Sequence, residues 1–226
     1  MQMTSGPAEY RGNLITRGGS HGLQARGGGS VRDNLFVENP LAFFIAGNRS
    51  EAVRNVVLNS NDIGPGGDAR GYGIEVMQTP YAMVRENIVS GKLGTNPGGT
   101  ALQVGWNLEW GPYFDIPDFQ VAFDKNIVWR WPNDRAVQIP VYTDAARVVQ
   151  DTNNVFDAAS NGTQPMPRFV DPGRDVSDYM QQFGGGGLNA LVERAASRPR
   201  GVWTPRWSAV QVNQFIRNGY DTPLYD

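Results

Sequence analysis

The chain has 226 residues, of which 40% are hydrophobic and 19% are charged, a composition typical of a globular protein. Its 20 basic and 22 acidic side chains leave a net charge of -2, so the excess positive charge that favours nucleic-acid binding is missing. Cysteine is absent and His21 is the single histidine, which excludes disulfides, thiolate metal sites and a zinc site built from several histidines. We expect no nucleic-acid partner and no membrane span, because no apolar run approaches about 20 residues.

Two short patterns recur along residues 1–163. In the first, an asparagine lies three residues after one apolar residue and two residues before another. Its copies are centred on Asn13, Asn34, Asn61, Asn87, Asn126 and, more weakly, Asn154. Asparagine tolerates the left-handed backbone conformation of a tight bend, and its side-chain amide can bond to the same residue in the next coil. This spacing predicts that the asparagines stack at one bend of a solenoid.

The second pattern follows each asparagine and reads small, apolar, variable, apolar. Its copies are residues 22–25, 42–45, 73–76, 101–104 and 136–139. Alternation with a period of two over so short a length predicts strands with one buried face. Parallel stacking at about 4.8 Å per coil would form an inward row and an outward row. The inward row is Leu23, Phe43, Ile74, Leu102 and Val137, and the outward row is Gln24, Phe44, Glu75, Gln103 and Gln138. The small residues would flank the outward row as a shallow channel.

These repeats predict an all-β fold, a right-handed parallel β-helix of about five to six coils over residues 1–163. The connections are rich in glycine and proline, as in residues 64–67, whereas an α/β sheet would need helical crossovers. The composition changes at residue 164, and the tail of residues 164–226 is predicted to form about three short helices that pack on the solenoid. Apolar residues at helical spacing begin at Val176 and at Leu188. The third helix is predicted to begin with Thr204 as its cap and Pro205 at its first position.

Two N-terminal stretches resemble bacterial right-handed β-helix repeat proteins of the pectate-lyase-like superfamily. They are residues 11–26, which include Ser20-His21-Gly22-Leu23-Gln24, and residues 31–37. The C-terminal part, residues 197–217, also resembles the tail of large, mostly uncharacterised members. The resemblance implies a β-helix and a polysaccharide partner, and its motifs specify architecture far better than activity. It also implies an extracellular or periplasmic location, although the sequence begins with no recognisable signal peptide.

Members of this group normally begin with further coils and a cap, whereas here the first repeat starts about ten residues from Met1. We therefore expect the chain to be the C-terminal portion of a longer protein. An uncapped first coil would expose strand edges. This predicts either that a partner chain covers the N-terminal end, a second copy in a homo-oligomer being one such partner, or that the protein aggregates.

In similar β-helix lyases and hydrolases the substrate lies along the outward face of one sheet, so we place the site on the outward row. Glutamine amides can bond to sugar hydroxyls, and Phe44 can offer a ring face to a sugar. The long loop before the fifth copy adds tryptophans that extend this surface or, alternatively, form a small core that holds the loop. The outward glutamines have a similar alternative, a stabilising amide ladder. The predicted substrate-binding residues are Gln24, Phe44, Gln103, Gln138, Trp106 and Trp110.

Glu75 is the single carboxylate of the outward row, and Arg26 and His21 lie two coils away. These three residues are the predicted catalytic groups. Glycoside hydrolysis ordinarily needs two carboxylates. The second is not evident, since spacing does not select among the candidates Asp62, Asp68 and Asp134.

β-Elimination needs a base for the proton beside a uronate, and a cation or arginine that neutralises the uronate carboxylate. Arg26, His21 and Lys92 can supply such roles. Glu75 and Asp62 would then help to hold Ca²⁺, the cofactor that this chemistry suggests.

The leading hypothesis is therefore a polysaccharide-active enzyme, a glycan lyase or glycoside hydrolase that binds its substrate along the outward row. The alternative is a non-catalytic β-helix module that binds glycan or builds a surface assembly. The early first repeat and the missing second carboxylate favour that alternative. Residue identities alone leave the substrate, the cleavage mode and the metal requirement open.

Overall fold

The computed structural model describes residues 2–3, 6–77, 79, 81–105, 120–132, 136–138, 148–150, 155–156, 171, 173–197, 199 and 204–220. Within these residues, eighteen strands form three parallel sheets of six strands each. Each strand pairs with the strand three places before or after it in the chain. Each coil therefore contributes one strand to each sheet, and the predicted parallel β-helix is confirmed with six coils among the described residues.

The three sheets follow one another along each coil. Sheet 1 contains β1 (Gln2–Met3), β4 (His21–Ala25), β7 (Leu41–Ala46), β10 (Tyr72–Met77), β13 (Leu102–Gly105) and β16 (Val137–Gln138). Sheet 2 contains β2 (Ala8–Arg11), β5 (Gly29–Arg32), β8 (Ser50–Val53), β11 (Tyr81–Arg85), β14 (Gln120–Asp124) and β17 (Val148–Gln150). Sheet 3 contains β3 (Leu14–Thr16), β6 (Leu35–Val37), β9 (Val56–Ser60), β12 (Ile88–Lys92), β15 (Ile127–Trp129) and β18 (Val155–Phe156).

Sheet 1 has the register that the second sequence pattern predicts. The residues of the outward row, Gln24, Phe44, Glu75, Gln103 and Gln138, are register partners from each strand to the next. The residues of the inward row, Leu23, Phe43, Ile74, Leu102 and Val137, are partners in the same way. The first four inward residues are buried in the core between the sheets. The two continuous rows are therefore confirmed.

The small residues that open these segments do not flank the outward row, and that expectation is wrong. Ala42 and Ala101 are fully buried members of the core. A Cβ added at Gly73 would meet the side chain of Val89 and the carbonyl of Ala101. The small side chains fit inside the bend between sheets 3 and 1, where a larger side chain would collide with the neighbouring coil.

An asparagine ladder follows the bend between sheets 2 and 3. Its members are Asn13, Asn34, Asn55, Asn87 and Asn126, and the side-chain amide of each of the first four donates to Oδ1 of the next at 2.9–3.0 Å. Stacking of asparagines is thus confirmed, but the predicted third member is wrong, because Asn55 and not Asn61 occupies the ladder. Asn154 lies outside the described residues. Each buried amide in the ladder bonds to neighbours above and below, so the ladder holds the coils in register.

The left-handed residue of each of these bends is the one before the asparagine. Asp33, Arg54, Glu86 and Lys125 have φ between 53° and 56°. Their charges alternate in sign from coil to coil, and Asp33 accepts a hydrogen bond from Arg54 Nε at 2.7 Å. The backbone role that we expected of the asparagine therefore belongs to its neighbour, and the asparagine serves the amide ladder.

The described part of the tail contains three α-helices: α1 (Val176–Gln181), α2 (Leu188–Ala196) and α3 (Ala209–Arg217). The predicted C-terminal helical segment is confirmed. Thr204 precedes a 3-10 helix at Pro205–Trp207, and the cap of α3 is Ser208, whose Oγ accepts from the Gln211 N–H at 3.3 Å. The third α-helix thus begins four residues later than predicted. None of the described helices has the length and apolar character to cross a membrane.

The helices cover the outer face of sheet 3. The outward residues of this sheet, Leu35, Val37, Val56, Leu58, Ile88 and Ile127, form one buried cluster with the helical residues Val176, Tyr179, Met180, Leu188, Leu191, Ala209, Val212 and Ile216. Asn213 of α3 also donates to the carbonyl oxygens of Asn34 and Arg54 at 2.8 and 2.9 Å. The tail is therefore tied to both the apolar face and the ladder bend.

A cavity of about 730 Å³ lies at the first coil, lined mainly by β2, β3 and the start of β4. Tyr10, Leu14, Ile15 and Leu23 contribute apolar surface to it. Association through this end of the solenoid stays a prediction.

Candidate functional site

Six polar side chains and Phe44 lie together around the outward row of sheet 1, and we call them the sheet 1 cluster. Its members are His21, Gln24, Arg26, Phe44, Arg70, Glu75 and Gln103. All but Arg70 lie on or directly beside strands β4, β7, β10 and β13, so the parallel register places them on adjacent coils. The cluster thus brings the three predicted catalytic residues to one face of the solenoid.

Glu75 lies in the middle of β10, between Phe44 on β7 and Gln103 on β13. Its partly buried carboxyl group accepts a hydrogen bond from the side chain of Gln103. Oε1 of Gln103 accepts from Thr100 Oγ1 at 2.6 Å, which leaves the amide nitrogen of Gln103 for Glu75. A Cβ added at Gly105 would overlap the Glu75 carboxyl group, so this glycine provides the space that the carboxyl group fills.

Burial raises the pKa of Glu75 to about 7, even though the Gln103 hydrogen bond and the positive charge of Arg70 both lower it. Desolvation disfavours the ionised form of a carboxyl group, and here it outweighs the two stabilising contacts. Glu75 therefore exchanges its proton near neutral pH, which suits a group that donates or accepts a proton in catalysis.

Phe44 supports the basic side chains of the cluster. The guanidinium carbon of Arg26 lies 5.1 Å from the centre of the Phe44 ring, and the ring of His21 meets it edge-on with 5.5 Å between the two centres. Only 2% of Phe44 is exposed. A sugar could stack on Phe44, as predicted, only after displacement of Arg26. Arg26 also donates from Nε to Oε1 of Gln24 at 3.2 Å, so Phe44 and Gln24 together hold its guanidinium group.

His21 is a neutral member of the cluster at pH 7. Burial lowers its pKa, and the positive charges of Arg70 and Arg26 lower it further. Nδ1 of His21 is hydrogen-bonded to Ser20 Oγ at 2.9 Å. Since the pKa of a free histidine is already about 6.5, these effects favour the neutral ring.

Arg70 is a member that sequence reasoning missed. Its positive charge acts on both Glu75 and His21, so it lies near both residues. Its backbone N–H donates to Oδ1 of Asp62 at 2.5 Å, and Thr95 donates to Oδ2 from Oγ1 at 2.9 Å. These contacts join two loops, and the hydrogen bond from the Arg70 backbone is the main cause of the lowered pKa of Asp62. Asp62 thus positions the loop that carries Arg70.

The two carboxylates predicted to share Ca²⁺ have different surroundings. Asp62 is engaged by the loop contacts just described, and Glu75 by Gln103. Within the described residues, no three His, Asp or Glu side chains are grouped closely enough to hold a metal ion. Lys92 donates to the Gly94 carbonyl at 2.5 Å, and burial lowers its pKa, with the charge of Asp62 opposing this shift. Asp68 pairs with Arg70 at 3.4 Å.

Several predicted site residues lie outside the described residues or are placed by backbone pairing alone. Trp106, Trp110 and Asp134 belong to the first group. Gln138 belongs to the second, as the register partner of Gln103.

No family model, curated protein or solved structure matches this chain. What supports the resemblance to the pectate-lyase-like superfamily is therefore the observed parallel β-helix with strands stacked in register, and membership of that superfamily is not shown.

Proposed function

We propose that the protein cleaves an acidic polysaccharide by β-elimination at the sheet 1 cluster, and is thus a glycan lyase. One arrangement of side chains carries this proposal. The carboxyl group of Glu75 lies in the same row as Phe44, whose ring supports Arg26. The positive charge of Arg70 also acts on Glu75. β-Elimination at a uronate needs these two elements, a group that exchanges a proton and a cation that binds the carboxylate.

The proposed roles follow from charge. Arg26 and Arg70 bind the uronate carboxylate, since guanidinium groups form paired hydrogen bonds with carboxylates. This withdraws electron density and makes the proton on the adjacent ring carbon more acidic. The ionised form of Glu75 accepts that proton. The electron pair of the broken C–H bond forms a double bond to the neighbouring carbon, whose bond to the glycosidic oxygen breaks, and the departing oxygen takes a proton from water.

Elimination fits the cluster better than hydrolysis. A hydrolase ordinarily places two carboxyl groups on opposite sides of the scissile bond. Among the described residues of the cluster, Glu75 is the single carboxyl group, while two guanidinium groups accompany it. Asp62 and Asp68, the other described candidates, are engaged by the loop of Arg70.

The test is a panel of polyuronates, assayed with and without added Ca²⁺ by the ultraviolet absorbance of the unsaturated product. We expect Glu75→Gln to lower kcat at least 100-fold, the lower end of the effect of removing a general base. Arg26→Gln should raise KM as well as lower kcat. Glu38→Gln, at the bend between sheets 3 and 1 and paired with Arg17, is the matched control and should retain activity.

Two results would contradict this assignment. Release of reducing ends without the unsaturated product would identify a hydrolase. Full elimination activity in Glu75→Gln would show that Glu75 does not accept the proton in the reaction.

A second candidate is a module that binds glycan without cleaving it. It is favoured by the fact that the cluster side chains already bond to one another, as in Arg26 with Gln24 and Gln103 with Thr100. A shift in tryptophan fluorescence on addition of a glycan that is never cleaved would support this module over the lyase.

A further inference from the structure

The outer face of sheet 2 carries a groove that the proposed lyase reaction does not use. It crosses strands β8, β11 and β14 and encloses about 330 Å³, within the range of small-ligand sites. Two rows of outward residues line it. The first row is Arg49, Tyr81 and Gln120, and the second is Glu51, Met83 and Ala122.

Two apolar side chains lie exposed in the middle of this groove. Tyr81 is 45% exposed and Met83 is 41% exposed, although both belong to a strand in the interior of the sheet. Ala122, the register partner of Met83 on β14, is small and leaves a depression beside them. An exposed tyrosine ring next to a depression with polar sides is the surface on which a sugar ring stacks.

Arg49 supplies a cation that has no partner in the described part of the chain. Ser50, the residue after it, is the register partner of Ala82, so Arg49 lies beside Tyr81. Among the described residues, none forms a hydrogen bond or ion pair with the Arg49 guanidinium group. The nearby carboxylates, in contrast, have partners. Glu51 is bonded to Arg32, and Glu9 lies 3.6 Å from the same guanidinium group. Arg49 is therefore the charged group of the groove that has no ion-pair partner among the described residues.

Arg49 and Glu51 also line a second depression on the same sheet, next to Pro7, Glu9 and Ser30. The two depressions thus share two lining residues, and together they follow the solenoid axis from β2 to β14 as what we call the channel. Neighbouring strands are about 4.8 Å apart, so the four strand steps span roughly 19 Å. This length and shallow form suit an extended chain.

We propose that this channel is a second binding site for an acidic polysaccharide, in which Tyr81 stacks on a sugar ring and Arg49 binds a uronate carboxylate. The ligand class rests on the proposed function, but the site lies on a different sheet from Glu75. A protein partner fits less well, since a stable interface buries about 800 Å² per partner. In the described part of the chain, Tyr81, Met83 and Leu93 are the large apolar side chains that are exposed.

Methionine methyl groups offer separate reporters for the two sheets. Met83 lies in the groove, whereas Met77 lies on β10 two residues after Glu75, on the same face as the sheet 1 cluster. Met180 is fully buried under the helices and serves as the internal control. The experiment is a titration of ¹³C-methyl-methionine protein with oligogalacturonides, followed by NMR. The Glu75→Gln background prevents turnover, and malto-oligosaccharides serve as the neutral comparison.

We expect oligogalacturonides to shift the Met83 resonance. Tyr81→Ala should weaken this binding about fivefold and Arg49→Gln about tenfold, while Tyr81→Phe retains it. Leu93→Ala, at an exposed apolar residue outside the groove, is the matched control. Arg49→Gln should leave the weaker binding of neutral oligosaccharides unchanged, because the arginine contributes through charge.

The outcomes separate the two proposals. Shifts at both Met83 and Met77 support both sites, and a shift at Met83 alone supports the groove while the sheet 1 proposal fails. A shift at Met77 alone, or at neither methyl group, overturns the groove. A Met83 shift that persists unchanged in both Arg49→Gln and Tyr81→Ala, or that is accompanied by an equal shift at Met180, overturns it as well.

Discussion

The outer faces of sheets 1 and 3 belong to the same coils, have the same parallel register and differ in almost everything else. On sheet 3 the outward residues are leucine, valine and isoleucine, and three helices bury them. On sheet 1 they are glutamine, phenylalanine and glutamate, with arginine and histidine beside them. Both faces begin from the same repeated strand geometry. The difference shows that the coil determines where side chains lie, and the outward residue type decides whether the face becomes core or remains a polar surface.

The sheet 3 face needs a cover because its strands are apolar on both sides. In β6 the outward Leu35 and Val37 flank the inward Phe36, and all three are buried. A parallel sheet with two apolar faces is stable only when another layer packs on it. The sheet 1 face has polar outward residues whose partners lie within the same face, so it needs no cover of this kind.

The largest expected effect on stability comes from the asparagine ladder, which holds the coils of both faces in register. Asn55→Ala removes hydrogen bonds to Asn34, Asn87 and the Val31 carbonyl, and leaves several buried groups without partners. We expect a loss of about 4 kcal/mol or more in the free energy of unfolding, measured by urea denaturation. Asn61→Ala, at the asparagine outside the ladder, is the control and should cost less than about 1 kcal/mol. Equal losses in the two variants would contradict the assignment of the ladder.

A smaller change in the free energy of unfolding should distinguish the outer faces of sheets 3 and 1. Leu191 of α2 is fully buried against sheet 3, and Leu191→Ala should lower the free energy of unfolding by about 3 kcal/mol, because it removes buried methyl groups and leaves a cavity. Gln24→Ala on sheet 1 should change stability by less than about 0.5 kcal/mol. A similar loss in both variants would mean that sheet 1 is as structural as sheet 3.

The smallest effect is a dependence of stability on pH. The folded pKa of Glu75 is raised from 4.5 to about 7, so the folded state binds this proton more tightly than the unfolded state. The contribution of Glu75 is fully present below about pH 4.5 and is lost as the pH rises through about 7, with a decrease of no more than about 3 kcal/mol. In Glu75→Gln this part of the Tm profile should be flat.

Gln103→Leu sharpens the same test. It removes the hydrogen bond that lowers the Glu75 pKa, so the midpoint of the pH dependence should move to higher pH. A wild-type profile that matches that of Glu75→Gln between pH 4.5 and 7 would show that Glu75 is not held in this environment.

The repeats predicted sheet 1 well because strand alternation is a local property. The alternation within each segment indicates which residues face inward, and parallel stacking then follows from the similarity of the segments. The ladder was predicted less well, since two asparagines of the third coil fit the same pattern. A signal that separates them is present in the sequence: each ladder asparagine is followed at once by Leu, Val or Ile, whereas Asn61 is followed by Asp62.

The site was predicted in part for the same reason. Glu75 and Gln103 lie in strands, so the repeat places them, but Arg70 lies in a loop whose position depends on its contacts with Asp62 and Thr95. Phe44 was expected to face a ligand, and the structure instead covers it with Arg26, a contact between coils that no single segment contains.

The order of residues along each strand by itself determined the parallel β-helix, the two rows of sheet 1 and the helical tail, because these depend on hydrophobic periodicity within a few residues. Three features were decided only by the folded chain: the surface that the tail covers, the burial that raises the Glu75 pKa, and the loop that brings Arg70 to the cluster. Each of them depends on contacts between residues far apart in sequence, whose free energies arise only after the coils have stacked.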